Sequence, residues 1–134
     1  MSISAKSFAQ QDTSCNKIRK IYDGMYFMYF DSSNSKSTII EFSDFLFLLE
    51  APIIDLGGGA KELKDDIAGG EKILRTLKAN FPNKPLKYFA HSHWHPHSIS
   101  SVSPFLNNNV SLITTEENFK VIKTFADSNV ISKN

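Results

Sequence analysis

The four histidines of the chain lie within seven residues, at every second position from 91 to 97. Imidazole is the commonest protein ligand for zinc, copper, nickel and iron. Alternate residues of an extended chain point to one face, so this run can present two or three imidazole rings to one point. The spacing indicates affinity for a metal ion of some kind.

Packing is the alternative role for any one of these histidines, because a lone histidine is more often a surface or core residue than a ligand. The concentration of all four in one segment favours metal binding, although a histidine-rich tract is compositional support only. Pro96 removes a backbone donor, which argues against one regular strand that contains all four. We expect a strand to end near His91 and a loop to carry His93 to His97.

Length and composition indicate one domain with a hydrophobic core. The chain has 134 residues, of which 41% are hydrophobic and eleven are phenylalanine. The net charge of +1 gives no electrostatic basis for binding nucleic acid or an anionic membrane. The single cysteine, Cys15, excludes an internal disulfide framework. We predict a flexible leader over residues 1–16 and a single domain over residues 17–134.

Localisation stays open at the level of sequence. No segment approaches the ~20 apolar residues of a membrane-spanning helix. The N-terminus lacks the apolar core of a signal peptide. The cytoplasm is the default, and export is the alternative if a leader was omitted.

Hydrophobic alternation and turn signals predict an α+β domain. Residues 17–22 alternate moderately, and a β-meander of three strands follows over 25–30, 37–42 and 45–50. The first of these strands is almost uninterrupted by polar residues, so we expect both of its faces to be buried. The third is apolar enough to be central in its sheet.

Helices and strands alternate in the rest of the chain. Ile73, Leu74 and Leu77 form the apolar stripe of a helix over 71–80, after a break at Gly69-Gly70. The later elements are a strand over 86–90, a short helix start within 98–103, a strand over 110–113 and a helix to about residue 126.

The last helix has the clearest start signal. Thr114 and Glu117 resemble the two partners of a capping box. Phe119, Ile122 and Phe125 share one predicted face of the helix. The predicted order is therefore βββ-α-β-(α)-β-α.

The histidine segment, Ser92 to Ser101, resembles the signature loop of the metallo-β-lactamase superfamily, which reads Thr-His-x-His-x-Asp-His-x-Gly-Gly. Its surroundings are also similar to that family. Residues 45–52 resemble a strand of its zinc-hydrolase branch, residues 83–88 the lysine-proline segment before the metal loop, and residues 109–118 the strand and helix start after it. The resemblance spans residues 17–126 and implies half of an αββα sandwich, in which two mixed sheets pack face to face with helices outside.

The resemblance implies a reduced metal site. His93 and His95 match the two histidines that bind the first metal. His97 stands at the aspartate, and Ser98 stands at the final histidine, so one ligand changes type and one is lost. We therefore predict at most one zinc ion per chain, held by His93, His95 and His97, with His91 as an additional ligand candidate. We name no catalytic residue, because the bridging carboxylate and the water-orienting aspartate of the family have no match.

Half a sandwich exposes an apolar sheet face or an edge. A second copy of the chain is a natural cover, so we expect a homodimer.

Three functions follow from the resemblance. The first is a truncated or degenerate relative with weakened or absent hydrolase activity. The second is an active mononuclear zinc hydrolase, acting on an ester, thioester or lactam and completed by a partner chain. The third is a metal-binding accessory protein. The missing ligands favour the first, and neither enzymatic activity nor substrate is determined by the sequence.

Overall fold

Six strands form one mixed sheet that packs against helices. The computed structural model of the chain describes residues 16–30, 36–51, 63–92 and 102–130. The strands are β1 Lys17–Tyr22, β2 Met25–Tyr29, β3 Lys36–Glu41, β4 Leu46–Leu49, β5 Leu86–Ala90 and β6 Ser111–Ile113. The helices within these ranges are α1 Leu63–Asn80, α2 Val102–Asn107 and α3 Glu116–Val130.

The sheet keeps the order of the sequence, β1-β2-β3-β4-β5-β6. The first four strands pair antiparallel, which suits their short connections. β4, β5 and β6 pair parallel, with α1 and α2 in the two connections between them. The carboxyl ends of these three strands therefore meet at one edge of the sheet. The α+β class is confirmed, and the predicted order gains one strand, β1.

The core lies on one face of the sheet, which we call the first face. One row of paired residues crosses it, with Ile39 beside Leu48 and Leu48 beside Phe89. Ile73 and Leu77 of α1 join this buried cluster, as predicted for the helix stripe. β4 is flanked by β3 and β5, so the prediction of a central strand is confirmed.

The predicted break at Gly69-Gly70 is wrong, because α1 runs through both glycines. Two glycines inside a helix cost about 2 kcal/mol relative to alanine. Burial of Ile73 and Leu77 in the two turns that follow the glycines offsets this cost. Tertiary packing thus outweighs the local signal.

Two further predictions are corrected near the C-terminus. The helix cap is Thr115 and not Thr114, since Thr115 Oγ1 accepts a hydrogen bond from the N–H of Asn118 at 3.2 Å. Ile122 is buried as predicted, but Phe119 is 50% exposed. Phe125 lies outside the residues whose side chains are described.

α2 begins at Val102, inside the range 98–103 predicted for its start, and it contains Pro104. Proline is tolerated there because the first N–H groups of a helix have no partner within the helix.

Asn16 ties the start of the domain to α1. It is buried, and its N–H donates to Oγ1 of Thr76 at 3.1 Å. Thr76 in turn donates to the carbonyl of Lys72 at 2.8 Å. The predicted leader thus includes one residue, Asn16, that packs into the domain. Residues 1–15 lie outside the described part of the chain.

Candidate functional site

The carboxyl edge of the parallel strands is where the histidine segment begins. β5 ends at Ala90, and His91 and Ser92 continue from it. Glu50 follows β4, which is the neighbouring parallel strand. Ligands of open α/β sheets bind outside the carboxyl ends of parallel strands, because loops from adjacent strands converge there.

Glu50 is bound to the start of the histidine segment by a short hydrogen bond. Its Oε1 accepts the N–H of Ser92 at 2.6 Å. Its own N–H donates to the carbonyl of Ala90 at 2.9 Å, which extends the β4–β5 pairing by one residue. The backbone of Glu50 has a φ of 61°, an uncommon value for a residue with a side chain. A carboxylate on a strained backbone thus fixes the direction in which the chain leaves β5.

His91 is packed into the protein. Its side chain is only 7% exposed. Its ring meets the ring of Phe89 edge to face, with centroids 4.4 Å apart. Phe89 makes a second edge-to-face contact with Phe105 of α2, at 4.8 Å. His91 therefore belongs to an aromatic cluster that braces the base of the histidine segment.

Comparisons of the sequence with family models and with curated proteins find no match. Comparison with solved structures does find likenesses. A metallo-β-lactamase of Pseudomonas aeruginosa in its mono-zinc form has a TM-score of 0.62 at 13% identity, over 83% of this chain and 46% of its own. The metallo-β-lactamases of Hirschia baltica and Pontibacter korlensis have TM-scores of 0.61 and 0.59, at 15% and 16% identity. They match 84% and 86% of this chain, and 49% and 48% of their own.

The chain adopts part of the metallo-β-lactamase fold. It spans about half the length of these structures, and at such identities the likeness shows the fold alone.

The structure of this partial metallo-β-lactamase fold describes one of the four predicted ligand candidates. His91 lies among the described residues, whereas His93, His95 and His97 lie outside them. Within the described ranges, no group of three or more His, Cys, Asp or Glu side chains could hold a metal ion. The predicted ligand set therefore stays a prediction. The described residues show only where the segment begins, at His91 and Ser92 after β5.

Glu50 is the residue that sequence reasoning missed. No carboxylate lies near the histidines along the chain, and Glu50 is 42 residues from Ser92. The feature of the sequence that could have indicated Glu50 is its position directly after a buried apolar strand, before Ala51 and Pro52. That signal becomes useful only once β4 is known to lie parallel to β5 and beside it.

The amino edge of the same strands carries a separate polar cluster. Nζ of Lys84 lies 2.6 Å from Oε1 of Glu41, and the hydroxyl of Tyr26 donates to Oε2 at 2.6 Å. These two donors lower the pKa of the Glu41 carboxyl, with Lys84 contributing most. A cavity of about 390 Å³ lies beside Lys84, between α1 and the start of β5. Its position at the opposite edge separates it from His91 and Ser92.

Among the described helices, none is long and apolar enough to cross a membrane.

Proposed function

We propose that this protein of the metallo-β-lactamase fold binds one zinc ion through His93, His95 and His97 and has weakened or absent hydrolase activity. The observation that carries the proposal is the hydrogen bond from Ser92 to Glu50, because it fixes the start of the histidine segment at the edge where loops converge.

The donor set suits zinc better than harder cations. Zinc is bound by imidazole nitrogen in sites of three protein ligands and one open position. Three histidines at alternate positions meet that requirement from one segment. When bound, zinc supplies Lewis acidity, which polarises a carbonyl group and lowers the pKa of water.

Glu50 supports this site as a positioning residue. Its carboxylate is already engaged by the N–H of Ser92, one residue before His93. Groups that orient metal ligands typically change metal affinity 10- to 100-fold when they are removed. The packing of His91 against Phe89 fits the same supporting role, so we propose it as the less favoured ligand candidate.

Weak or absent hydrolysis follows from what the segment lacks. Ser98 stands where the family has its last loop histidine, and His97 stands at the aspartate. A carboxylate that would accept a proton from water has no counterpart in the segment. Imidazole ligands can hold a metal, but the segment contains no carboxylate that could act as a general base.

Binding and catalysis can be separated in one experiment. Protein freed of metal with a chelator is titrated with zinc by calorimetry, and the loaded protein is then assayed with chromogenic lactam, ester and thioester substrates. We expect a stoichiometry of one and hydrolysis close to the uncatalysed rate. Zinc binding with robust turnover would favour the active hydrolase, and absence of binding would contradict the proposal.

A further inference from the structure

The cavity at the amino edge of the parallel strands has the size and the apolar walls of a small-molecule site. Its volume of about 390 Å³ falls within the ~300–1,000 Å³ that is typical of ligand pockets. Leu77 and Val110 line it and are buried, whereas Phe81 and Leu86 line it and stay partly exposed. A ligand that covers these four side chains would remove apolar surface from water.

The walls of the cavity come from separate parts of the chain that are already fixed in place. Leu77 belongs to the last turn of α1, Leu86 begins β5, and Val110 directly precedes β6. The N–H of Val110 donates to the carbonyl of Phe105 at 3.0 Å, which ties this wall to α2. The cavity is therefore formed without a ligand, as most small-molecule sites are.

The end of α1 is capped where it borders the cavity. The N–H of Phe81 donates to the carbonyl of Leu77 at 2.8 Å, and the N–H of Lys84 donates to the carbonyl of Phe81 at 3.1 Å. The side chain of Asn80 donates to the carbonyl of Thr76 at 2.8 Å. Because these carbonyls already accept hydrogen bonds, the helix end presents less negative partial charge than an uncapped end would.

The charged side chains that line the cavity are both cations. Lys78 and Lys84 line it, and no described aspartate or glutamate does. Glu41 offsets the charge of Lys84, since its Oε1 lies 2.6 Å from Nζ. Lys78 is exposed in the last turn of α1, and no described carboxylate lies within ion-pair distance of it. The described residues thus leave one positive charge beside the cavity uncompensated.

We propose that this cavity binds a small amphipathic monoanion, with its apolar part against Leu77, Phe81 and Val110 and its carboxylate beside Lys78. A single carboxylate matches the one uncompensated charge. Lys84 offers a second contact, because an ammonium group has three N–H donors. Among the described residues, two of these donors are used, by Oε1 of Glu41 and by the carbonyl of Phe42 at 2.9 Å.

This site is separate from the proposed zinc site. The cavity lies at the start of β5, whereas His91 and Ser92 follow its end. β5 has five residues, so the two edges are ~16 Å apart. A carboxylate is also a zinc ligand, so each binding measurement is made in a chelator. Failure of this site and failure of the zinc site are then distinguishable.

The first test titrates the full chain with octanoate and follows the amide chemical shifts. We expect saturable shifts at Leu77, Phe81 and Val110, with a dissociation constant of about 1 mM or lower. Octanol has the apolar chain without the charge, and acetate has the charge without the chain. Each should bind about 5-fold or more weakly than octanoate.

Two outcomes of this titration would overturn the proposal. One is the absence of saturable shifts at the residues that line the cavity. The other is a set of shifts centred on the exposed side chains of Leu49 and Ile113, because octanoate would then bind apolar surface in general.

The second test compares two exposed lysines on helices, of which Lys78 lines the cavity and Lys123 does not. Lys78→Glu should raise the dissociation constant of octanoate about 5-fold or more, because an ion pair is replaced by a repulsion. Lys123→Glu should leave it unchanged. Octylamine, which carries the opposite charge, should bind Lys78→Glu more tightly than it binds the unaltered chain. Equal effects of the two variants on octanoate would contradict the assignment of the carboxylate to Lys78.

Discussion

Glu50 and Ser92 are joined by a hydrogen bond of 2.6 Å, although 42 residues separate them along the chain. The bond exists because β4 and β5 are parallel neighbours that end at the same edge. It connects the residue that follows β4 to the residue before the predicted metal ligands.

Removing this acceptor should affect both stability and zinc affinity. Glu50→Ala leaves the N–H of Ser92 without its charged partner, so we expect a loss of about 1–3 kcal/mol in the free energy of unfolding. Zinc affinity should fall about 10-fold or more. Denaturant unfolding and zinc calorimetry measure the two effects.

Glu50→Gln is the matched control, since its amide oxygen can still accept the hydrogen bond. It should retain most of the stability and most of the zinc affinity. Equal losses in both variants would show that the charge of Glu50, and not its hydrogen bond, is what matters.

Local sequence signals predicted the elements better than their contacts. The spacing of Ile73 and Leu77 predicted a helix, and both residues are buried. The glycine signal is misleading, because Gly69-Gly70 predicts a break that packing overrides. The apolar run of β2 is misleading as well, because Met28 is its one fully buried residue and the prediction of burial on both faces is wrong. Thr114 and Thr115 are equally good caps by residue type, and only the hydrogen bond from the N–H of Asn118 to Thr115 distinguishes them.

The sequence predicts the types of the candidate ligands, but it does not predict the residue that positions them. Alternating histidines are visible in the sequence because their chemistry is local. Glu50 could not be found, since its role depends on strand pairing across 42 residues.

Acid should weaken the amino-edge cluster around Glu41. Lys84 and Tyr26 hold the pKa of Glu41 below its ordinary value of 4.5 in the folded protein. Between the folded and unfolded pKa values the unfolded chain binds more protons, so stability rises with pH. This contribution is complete above pH 4.5 and is lost as pH falls through the folded pKa.

Glu41→Gln should therefore lower the free energy of unfolding by about 1–2 kcal/mol at pH 7 and flatten its acid dependence. Urea unfolding from pH 3 to pH 7 measures both. Glu71→Gln is the control, because Glu71 forms an exposed pair with Arg75 at 4.0 Å and should contribute less than about 0.5 kcal/mol. An unchanged acid limb in Glu41→Gln would contradict the assignment.

Thr76 should anchor the start of β1 through Asn16. Thr76→Val keeps the side-chain shape but removes the acceptor of the Asn16 N–H, so we expect a loss of about 1–3 kcal/mol. Hydrogen exchange of the Asn16 amide should accelerate in Thr76→Val. Thr76→Ser retains the hydroxyl and should keep that amide protected, and fast exchange in the serine variant would refute the anchor.

Metal content tests the central claim most directly. Protein purified without an affinity tag and without chelator should contain about one zinc per chain by elemental analysis. The His93→Ala/His95→Ala variant should contain none while keeping the fold by circular dichroism. A metal-free protein whose thermal unfolding does not shift on addition of zinc would contradict the account, and the histidine segment would then have no metal role.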